Sequence, residues 1–211
     1  MKVPLPSLDM ISMYSLVSGC KRHIHVSRRK VIASLIIVFL FFFGFLYASS
    51  VYFIKSSKIR FKSEAPLETI IAESTEMKGM LDLQSKNFAF TVNNESFKGF
   101  NSPLQREHFN DNYLDTDKYP VISYTGRIID EIDFNKPGTY TVRAKGMMNV
   151  KGINRERLIK SVVDVKPNSI KITSEFTVLL DDYSIRIPRV VNQKIAPEIQ
   201  ITLSANLEPQ K

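Results

Sequence analysis

The residues best suited to chemistry in this 211-residue chain are a histidine and two acids between positions 107 and 111. His108 and Asp111 are three positions apart and would share one face of a helix, with Glu107 beside them. Imidazole and carboxylate groups can ligate a metal ion, but the local sequence offers no further ligands to complete a site. We therefore favour a helix histidine bonded to nearby backbone or carboxylate groups over a metal site or an enzyme built on these residues.

Other catalytic arrangements are thin. The remaining histidines, His23 and His25, and the single cysteine, Cys20, all lie near the N-terminus. Residues 55–211 therefore offer neither a Cys–His nucleophile pair nor a multi-histidine zinc site. The adjacent Asp181 and Asp182 would point opposite ways in a strand and are interpreted as part of a turn. The sequence predicts no catalytic residue, no metal site and no cofactor, and the protein is not expected to be an enzyme.

Charge is unevenly distributed along the chain, which has a net charge of +8. Residues 1–62 carry ten Lys and Arg side chains against Asp9 alone, whereas residues 63–211 carry 19 basic and 20 acidic side chains. Nucleic-acid binding relies on a basic domain face that replaces counterions on phosphates. The near-neutral charge of residues 63–211 therefore argues against a nucleic-acid partner.

The stretch KGINRERLIK, residues 151–160, is the most basic part of that region. Its four cations are Lys151, Arg155, Arg157 and Lys160. No aromatic side chain on which a base could stack is interleaved with them. We interpret the stretch as a hairpin turn around Gly152 followed by a strand with a solvated, charged face.

Residues 31–54 contain no charge and follow the basic sequence SRRK. A helix needs about 20 apolar residues to cross a bilayer, so this segment is predicted to enter a membrane. Its length favours an uncleaved anchor, although Ala48 and Ser50 would also suit signal cleavage after Ser50. The sequence VSGC at Cys20 matches a lipoprotein cleavage pattern, but a much better membrane segment follows it.

The predicted organisation is a basic cytoplasmic leader (1–30), a transmembrane or signal segment (31–54) and an exported domain (55–211). The exported domain is predicted to be all-β, because apolar and polar residues alternate along many of its segments. The clearest runs are 139–151 and 195–207, with further strands predicted at 58–63, 67–74, 88–92, 120–132, 157–166 and 170–180. Turn sequences such as KPG at 136–138 and KPNS at 166–169 separate them. About eight strands, some of them long, favour a closed antiparallel barrel over an open sheet.

One segment departs from the alternating pattern. Ser102 is a good N-cap, Pro103 suits the first helical position, and Phe109 and Tyr113 are four apart. Residues 102–114 are therefore predicted to form a short helix that plugs one end of the barrel.

Many apolar and aromatic positions would point into such a barrel. They are Phe88, Phe90, Phe109, Tyr113, Tyr124, Tyr140, Val142, Ala144, Met148, Phe176, Val178, Ile199, Ile201 and Leu203. An eight-stranded barrel is just wide enough to be filled by its own side chains or to hold one small ligand. The small residues Ala144 and Gly146 leave room in mid-strand, but the residues alone leave both alternatives open.

Three segments together resemble the YceI-like family. They are HFNDNYLDTDKYPVISYTGRI (108–128), PGTYTVRAKGMMNVKGINR (137–155) and FTVLLDDYSIRIP (176–188). The resemblance extends over about residues 58–208. It implies an eight-stranded, lipocalin-like barrel in the bacterial periplasm that holds an isoprenoid or other lipid chain. The family's turn histidine falls on Lys151 here and its usual threonine on Asn154, so the histidine's role cannot be transferred.

With this resemblance, our hypothesis is a non-enzymatic lipid-binding barrel in the bacterial cell envelope that transports or stores an isoprenoid or fatty-acyl lipid. The fourteen inward residues would line the ligand. The barrel would be anchored in the inner membrane through residues 31–54, or secreted to the periplasm. The alternative is a filled barrel that serves as a protein-interaction module, and a homodimer is a further open question.

Overall fold

The alternating segments form nine strands across residues 51–210, the part of the chain that the computed structural model describes. Each strand has the following bounds: β1 Val51–Glu64, β2 Thr69–Ser74, β3 Lys78–Asp82, β4 Asn87–Asn93, β5 Val121–Ile128, β6 Gly138–Val150, β7 Ile153–Lys166, β8 Ser169–Leu179 and β9 Glu198–Pro209. Their inward positions carry most of the buried apolar side chains. The predicted all-β class is therefore confirmed.

The barrel closes between its first and last strands. β1 and β9 pair antiparallel from Tyr52–Pro209 to Ser63–Ile199, and each strand from β3 to β8 pairs antiparallel with the strand that follows it. β3 pairs with the start of β1, and β2 folds back onto the second half of the same edge. Eight strands thus form the closed barrel, as predicted, and β2 is an additional strand on β1.

The sequence patterns identified the right number of barrel strands but not all of the right members. They missed β3, a five-residue strand in which Gly79 interrupts the alternation and Leu81 is the fully buried side chain. They also started the last strand at residue 195, whereas β9 begins at Glu198. The amide of Ile195 instead donates to the carbonyl oxygen of Val191 in a turn.

β1 extends further towards the N-terminus than predicted. Val51 to Phe53 pair with β3, so the last four residues of the predicted 31–54 membrane segment belong to the first barrel strand. The predicted domain boundary at residue 55 lies inside that strand. The leader (1–30), the Cys20 pattern and residues 31–50 lie outside the described residues. Within residues 51–210, no helix has the length and apolar character needed to span a bilayer.

The helix predicted after Ser102 is present. The Ser102 hydroxyl accepts from the amide of Gln105 at 3.2 Å, and helix α1 runs over Pro103–His108. The chain continues as a π-helix over Phe109–Leu114 and ends at Asp115, which has a φ of 50°. The wider π-helical turn directs Phe109 and Leu114 into the barrel core.

The β6–β7 connection is a two-residue hairpin turn. Val150 pairs with Ile153, and Lys151 and Gly152 both have positive φ values, 53° and 75°. Two positive φ values are typical of the type I′ turn that matches strand twist. A side chain on Gly152 would collide with the ring of Tyr119, which packs on the turn. The hairpin turn predicted around Gly152 is thus confirmed.

Two hydrophobic clusters fill opposite parts of the barrel. The larger one extends from the end that we call the closed end, where Leu81, Val163, Ile170 and Leu207 have 0–1% exposure, to Phe97 beside the π-helix. The smaller cluster surrounds Tyr183 beneath β6, β7 and β8. Residues 49–211 form a compact unit. Its described strand pairings and both clusters join residues 51–210 to one another, so this unit contains its own core.

Candidate functional site

The barrel encloses an apolar cavity of about 520 Å³. This volume lies within the roughly 300–1,000 Å³ range of small-molecule sites, far above an ordinary packing defect. Its floor at the closed end consists of buried residues such as Met77, Leu81 and Ile128. The alternative of a barrel filled by its own side chains therefore does not describe this structure.

Thirteen of the fourteen residues predicted to face the interior lie on the cavity wall. They are Phe88, Phe90, Phe109, Tyr113, Tyr124, Val142, Ala144, Met148, Phe176, Val178, Ile199, Ile201 and Leu203. They come from β4, β5, β6, β8, β9 and the π-helix, and barrel closure brings them together. Their contact with a ligand stays a prediction.

Tyr140 is the exception. Its hydroxyl donates to the carbonyl oxygen of Lys136 at 2.9 Å, and its ring lies over Gly138. A β-carbon on Gly138 would be 3.5 Å from the ring, an ordinary van der Waals contact, so the ring packs on the backbone at this position. Tyr140 packs against the larger cluster without lining the cavity.

Gly146 also has a different role from the one expected. It pairs with Gly126 across β5 and β6, and a β-carbon on either would collide with the opposite backbone. The two glycines therefore allow close strand approach and do not themselves line the cavity. Ala144 does line it, so the expectation that a small side chain leaves room holds at that position.

Tyr124 presents its ring to the cavity and turns its hydroxyl to the wall. The hydroxyl lies 2.8 Å from the carbonyl oxygen of Ala144 and 3.2 Å from that of Arg157, to which it can donate. Burial raises the pKa of Tyr124 to about 12, so the side chain is neutral at ordinary pH. A neutral tyrosine with a satisfied hydroxyl behaves as hydrocarbon wall.

One polar pair interrupts the apolar wall. Ser161 on β7 and Ser174 on β8 face each other with their hydroxyl oxygens 2.7 Å apart, and both are buried. Each hydroxyl thereby gains a partner that it would otherwise lack in this apolar site. The inward position of both residues was readable from strand alternation, but their pairing depended on register.

Four phenylalanines form an aromatic cluster in the upper wall. Phe61 stacks on Phe109 with ring centroids 5.3 Å apart, and Phe97 and Phe100 contact the same ring at 5.8 and 5.1 Å. Of these four, the sequence patterns predicted only Phe109, because the other three lie on long β1 and on the irregular segment after β4. The π-helix thus contributes the central ring of an aromatic cluster that lines the cavity.

Polar lining residues gather at the end opposite the floor, which we call the mouth. The mouth is formed by Glu68 after β1, Gln105 and His108 on α1, and Lys194 before β9. His108 and Lys194 are exposed, so the cavity reaches solvent here. A carboxylate oxygen of Glu68 accepts hydrogen bonds from the side-chain amides of Gln105 and Asn101, which fixes α1 to the β1–β2 loop.

The residues first considered for chemistry are separated by this arrangement. His108 lies on the mouth, whereas Glu107 and Asp111 line a shallow external groove with Gly99 and Asn110. Among residues 51–210, no group of three His, Cys, Asp or Glu side chains is placed to hold a metal ion. Asp181 and Asp182 lie in a 3₁₀ turn, as predicted.

Two cations of the KGINRERLIK stretch are not merely solvated. Arg155 and Arg157 stand at inward positions of β7, and Arg155 Nε donates to the carbonyl oxygen of Asp182 at 2.7 Å. Arg157 donates to the carbonyl oxygen of Thr177 and lies 3.7 Å from the Asp182 carboxylate. They attach the 181–183 turn to the barrel end, where the fully buried Tyr183 packs. Arg155 stays exposed, as predicted, whereas Arg157 is half-buried, so the prediction of a solvated face is wrong for Arg157.

Comparison with known proteins agrees with this architecture. The model of the YceI-like domain matches residues 52–207. A polyisoprenoid binding domain from Saccharophagus degradans, implicated in plant cell wall breakdown, superposes with a TM-score of 0.65 at 12% identity over 76% of this chain and 99% of that one. Burkholderia cenocepacia BcnA superposes with a TM-score of 0.58 at 13% identity, over 71% of this chain and 95% of that one. A mutant Campylobacter jejuni YceI protein superposes with a TM-score of 0.52 at 13% identity, over 64% of this chain and 82% of that one. A search of curated proteins finds no match, and the structural likenesses establish the shared barrel fold.

Proposed function

The chain belongs to the YceI-like family, and from this premise we propose that its barrel binds one isoprenoid or other lipid chain in the interior cavity. The observation that carries the proposal is the 520 Å³ cavity, closed at its floor, lined largely by aliphatic and aromatic side chains and open at a polar mouth. The structural relative from Saccharophagus degradans is described as a polyisoprenoid binding domain. That description supports the same class of ligand here.

The driving force would be removal of apolar surface from water. Each buried methylene contributes about 0.8 kcal/mol, so about ten methylenes would supply the roughly 8 kcal/mol of micromolar binding, and a longer chain is needed to offset the cost of association as well. Tyr124 and the Ser161–Ser174 pair satisfy their hydroxyl groups within the wall, so they demand no polar group from the ligand. A polar head group would remain at the mouth, close to His108 and Lys194.

A binding role accounts for the cavity without requiring chemistry. The single histidine of residues 55–211 lies at the mouth, where it is placed to contact a head group. We propose that the protein carries or stores its ligand without converting it. Turnover of the bound lipid during incubation, detected by mass spectrometry, would contradict this part of the proposal.

Native mass spectrometry of residues 49–211 expressed with export to the periplasm, with organic extraction of the same sample, tests the binding. We expect a discrete added mass that extracts as a polyprenyl or acyl lipid. The delipidated protein should take up isoprenoid quinones with an affinity that rises with chain length and levels off once the cavity is full. A consistently ligand-free mass, with no uptake of added quinone, would refute the proposal.

We further propose that residues 31–50, the part of the uncharged segment that precedes β1, target the chain to the inner membrane and that the barrel, anchored there or released by cleavage, lies on its outer side. The absence of charge over 31–54, the preceding Arg28, Arg29 and Lys30, and the family resemblance support this arrangement. Protease treatment of intact spheroplasts should degrade the barrel. Protection of the barrel until the cells are lysed would place it in the cytoplasm instead.

A further inference from the structure

The mouth is surrounded by exposed apolar side chains from three different segments. Leu67 on the β1–β2 loop is 66% exposed, Leu104 on α1 is 56% exposed, and Val190 in the 3₁₀ turn before β9 is 89% exposed. Single exposed apolar residues are ordinary on a protein surface. Three of them on the segments that frame one apolar cavity call for an explanation.

Hydrogen bonds hold these three segments together as one face. The amide of Leu67 donates to the carbonyl oxygen of Gln193 at 2.9 Å, which joins the β1–β2 loop to the segment before β9. Asn101 donates to Glu68 at 3.1 Å and to the carbonyl oxygen of Thr69 at 3.0 Å, which joins the start of α1 to the same loop. Leu67, Leu104 and Val190 therefore occupy one continuous rim, which we call the mouth rim.

The mouth rim also carries positive charge. Residues 184–197 contain Arg186, Arg189 and Lys194 and no acidic residue. All three cations are exposed. Acids also lie nearby: Glu64 at the end of β1 pairs with Lys62 at 2.6 Å, Glu68 in the β1–β2 loop accepts from the side-chain amides of Gln105 and Asn101, and Glu107 on α1 is exposed.

We propose that the mouth rim is a docking surface for a bilayer containing anionic phospholipid. Leu67, Leu104 and Val190 would enter the level of the head groups, and Arg186, Arg189 and Lys194 would contact lipid phosphates. Short apolar side chains on separate loops, interspersed with cations, suit a fluid interface that has no fixed shape to match. The inference rests on the proposed lipid-binding function, because it gives the ligand a path from the acyl layer into the cavity without crossing water. β1 enters the barrel at the closed end, so the docking is proposed for the barrel released by cleavage near Ser50.

The absence of tryptophan from the chain makes a direct test simple. Val190→Trp and Leu67→Trp each place a single reporter on the rim of the 49–211 unit. Leu158→Trp is the matched control. Leu158 is 57% exposed, similar to Leu67 at 66%, but it lies at an outward position of β7 on the barrel wall. Vesicles of phosphatidylglycerol and of phosphatidylcholine are then added to each variant.

Docking predicts that phosphatidylglycerol vesicles shift the fluorescence emission of the rim tryptophans to the blue and that brominated lipid quenches this emission. Added salt should reverse both effects. Leu158→Trp should not respond. An equal shift at Leu158→Trp overturns the proposal. The absence of a shift at both rim positions also overturns it and would favour a protein as the partner of the rim. An equal shift with phosphatidylcholine overturns the role given to the cations.

Charge variants provide a second measurement. Removing two rim cations in Arg186→Gln/Arg189→Gln should weaken binding to phosphatidylglycerol vesicles by roughly fivefold per charge. The matched control Lys160→Gln/Lys171→Gln removes two exposed cations from the outer faces of β7 and β8 and should leave binding unchanged. Equal losses in the two double variants would contradict docking through the rim. Lipid occupancy measured on the same samples separates this inference from the proposed function, since cavity binding without vesicle docking refutes the docking alone.

Discussion

The two ends of the barrel are built from the same strands but differ in what fills them. At the closed end, Leu81 on β3, Ile170 on β8 and Leu207 on β9 have 0–1% exposure and belong to one buried cluster. Towards the mouth, β9 also carries Ile199 and Leu203, whose side chains border an unfilled space. The difference indicates that the two ends have different roles. Dense packing at one end supplies stability, and loose packing towards the other leaves room for a ligand.

Truncating one leucine at each level should give the largest contrast. Leu207→Ala removes a fully buried side chain from the closed end and should lower the free energy of unfolding by about 2–5 kcal/mol. Leu203→Ala on the cavity wall should cost only about 1–2 kcal/mol, because its atoms are partly unpacked already. Urea denaturation of both variants measures the difference. Equal costs would mean that the interior is packed evenly from end to end.

Enlarging one alanine at each level should again destabilise the closed end more than the cavity wall. Ala205 is 2% exposed in the closed-end cluster, so Ala205→Leu should overpack it and cost about 1–3 kcal/mol of stability. Ala144→Leu instead projects into the cavity and should leave stability nearly unchanged. Its three added carbons should displace about as many ligand methylenes and weaken lipid binding roughly 10- to 100-fold. Titration calorimetry and urea denaturation check the two halves, and unaltered lipid affinity in Ala144→Leu would place the ligand elsewhere.

The smallest effect concerns the buried hydroxyl of the cavity wall. The pKa of Tyr124 is about 12 in the folded protein because burial disfavours its anion, against 10.0 for an ordinary tyrosine. The unfolded chain therefore loses this proton first. The stabilisation from Tyr124 is complete below pH 10 and is lost as the pH rises towards 12.

Tyr124→Phe removes this titration and one hydrogen bond to the backbone of β6 and β7. It should cost roughly 0.5–1.5 kcal/mol at neutral pH. Between pH 10 and 12 its stability should then fall less steeply than that of the wild type, as measured by urea unfolding at several pH values. Parallel pH profiles for the two proteins would show that Tyr124 is accessible to water.

Local sequence signals predicted many details correctly. Ser102 and Pro103 marked the start of α1, and Gly152 marked the β6–β7 turn, because capping and positive φ depend on a few neighbouring residues. Alternation placed eleven residues on the cavity wall, because successive side chains of a strand point to opposite faces, and the four-residue spacing of Phe109 and Tyr113 placed two more. The signal failed for Tyr140, whose inward register did not reveal that its ring would turn back over Gly138.

Features that depend on distant pairing escaped the sequence. β3 is too short for a visible period, and its place in the barrel comes from hydrogen bonds to β1 and β4. Val51 to Ile54 belong to a longer apolar run, and only their pairing with β3 and β9 makes them strand. Arg155 and Arg157 read as part of a solvated face in the sequence, and only the fold shows that both contact Asp182 in the 181–183 turn.

The sequence by itself determined an alternating β domain of near-neutral charge, one short capped helix and a chain without the residues of a common catalytic site, because these follow from residue type and close spacing. The tertiary structure decided that the barrel retains a cavity of about 520 Å³ and that Leu67, Leu104 and Val190 share one rim. Barrel closure joins Tyr52 to Pro209 across almost the whole domain. Interior volume and surface neighbourhoods depend on such long-range register, which no local pattern encodes.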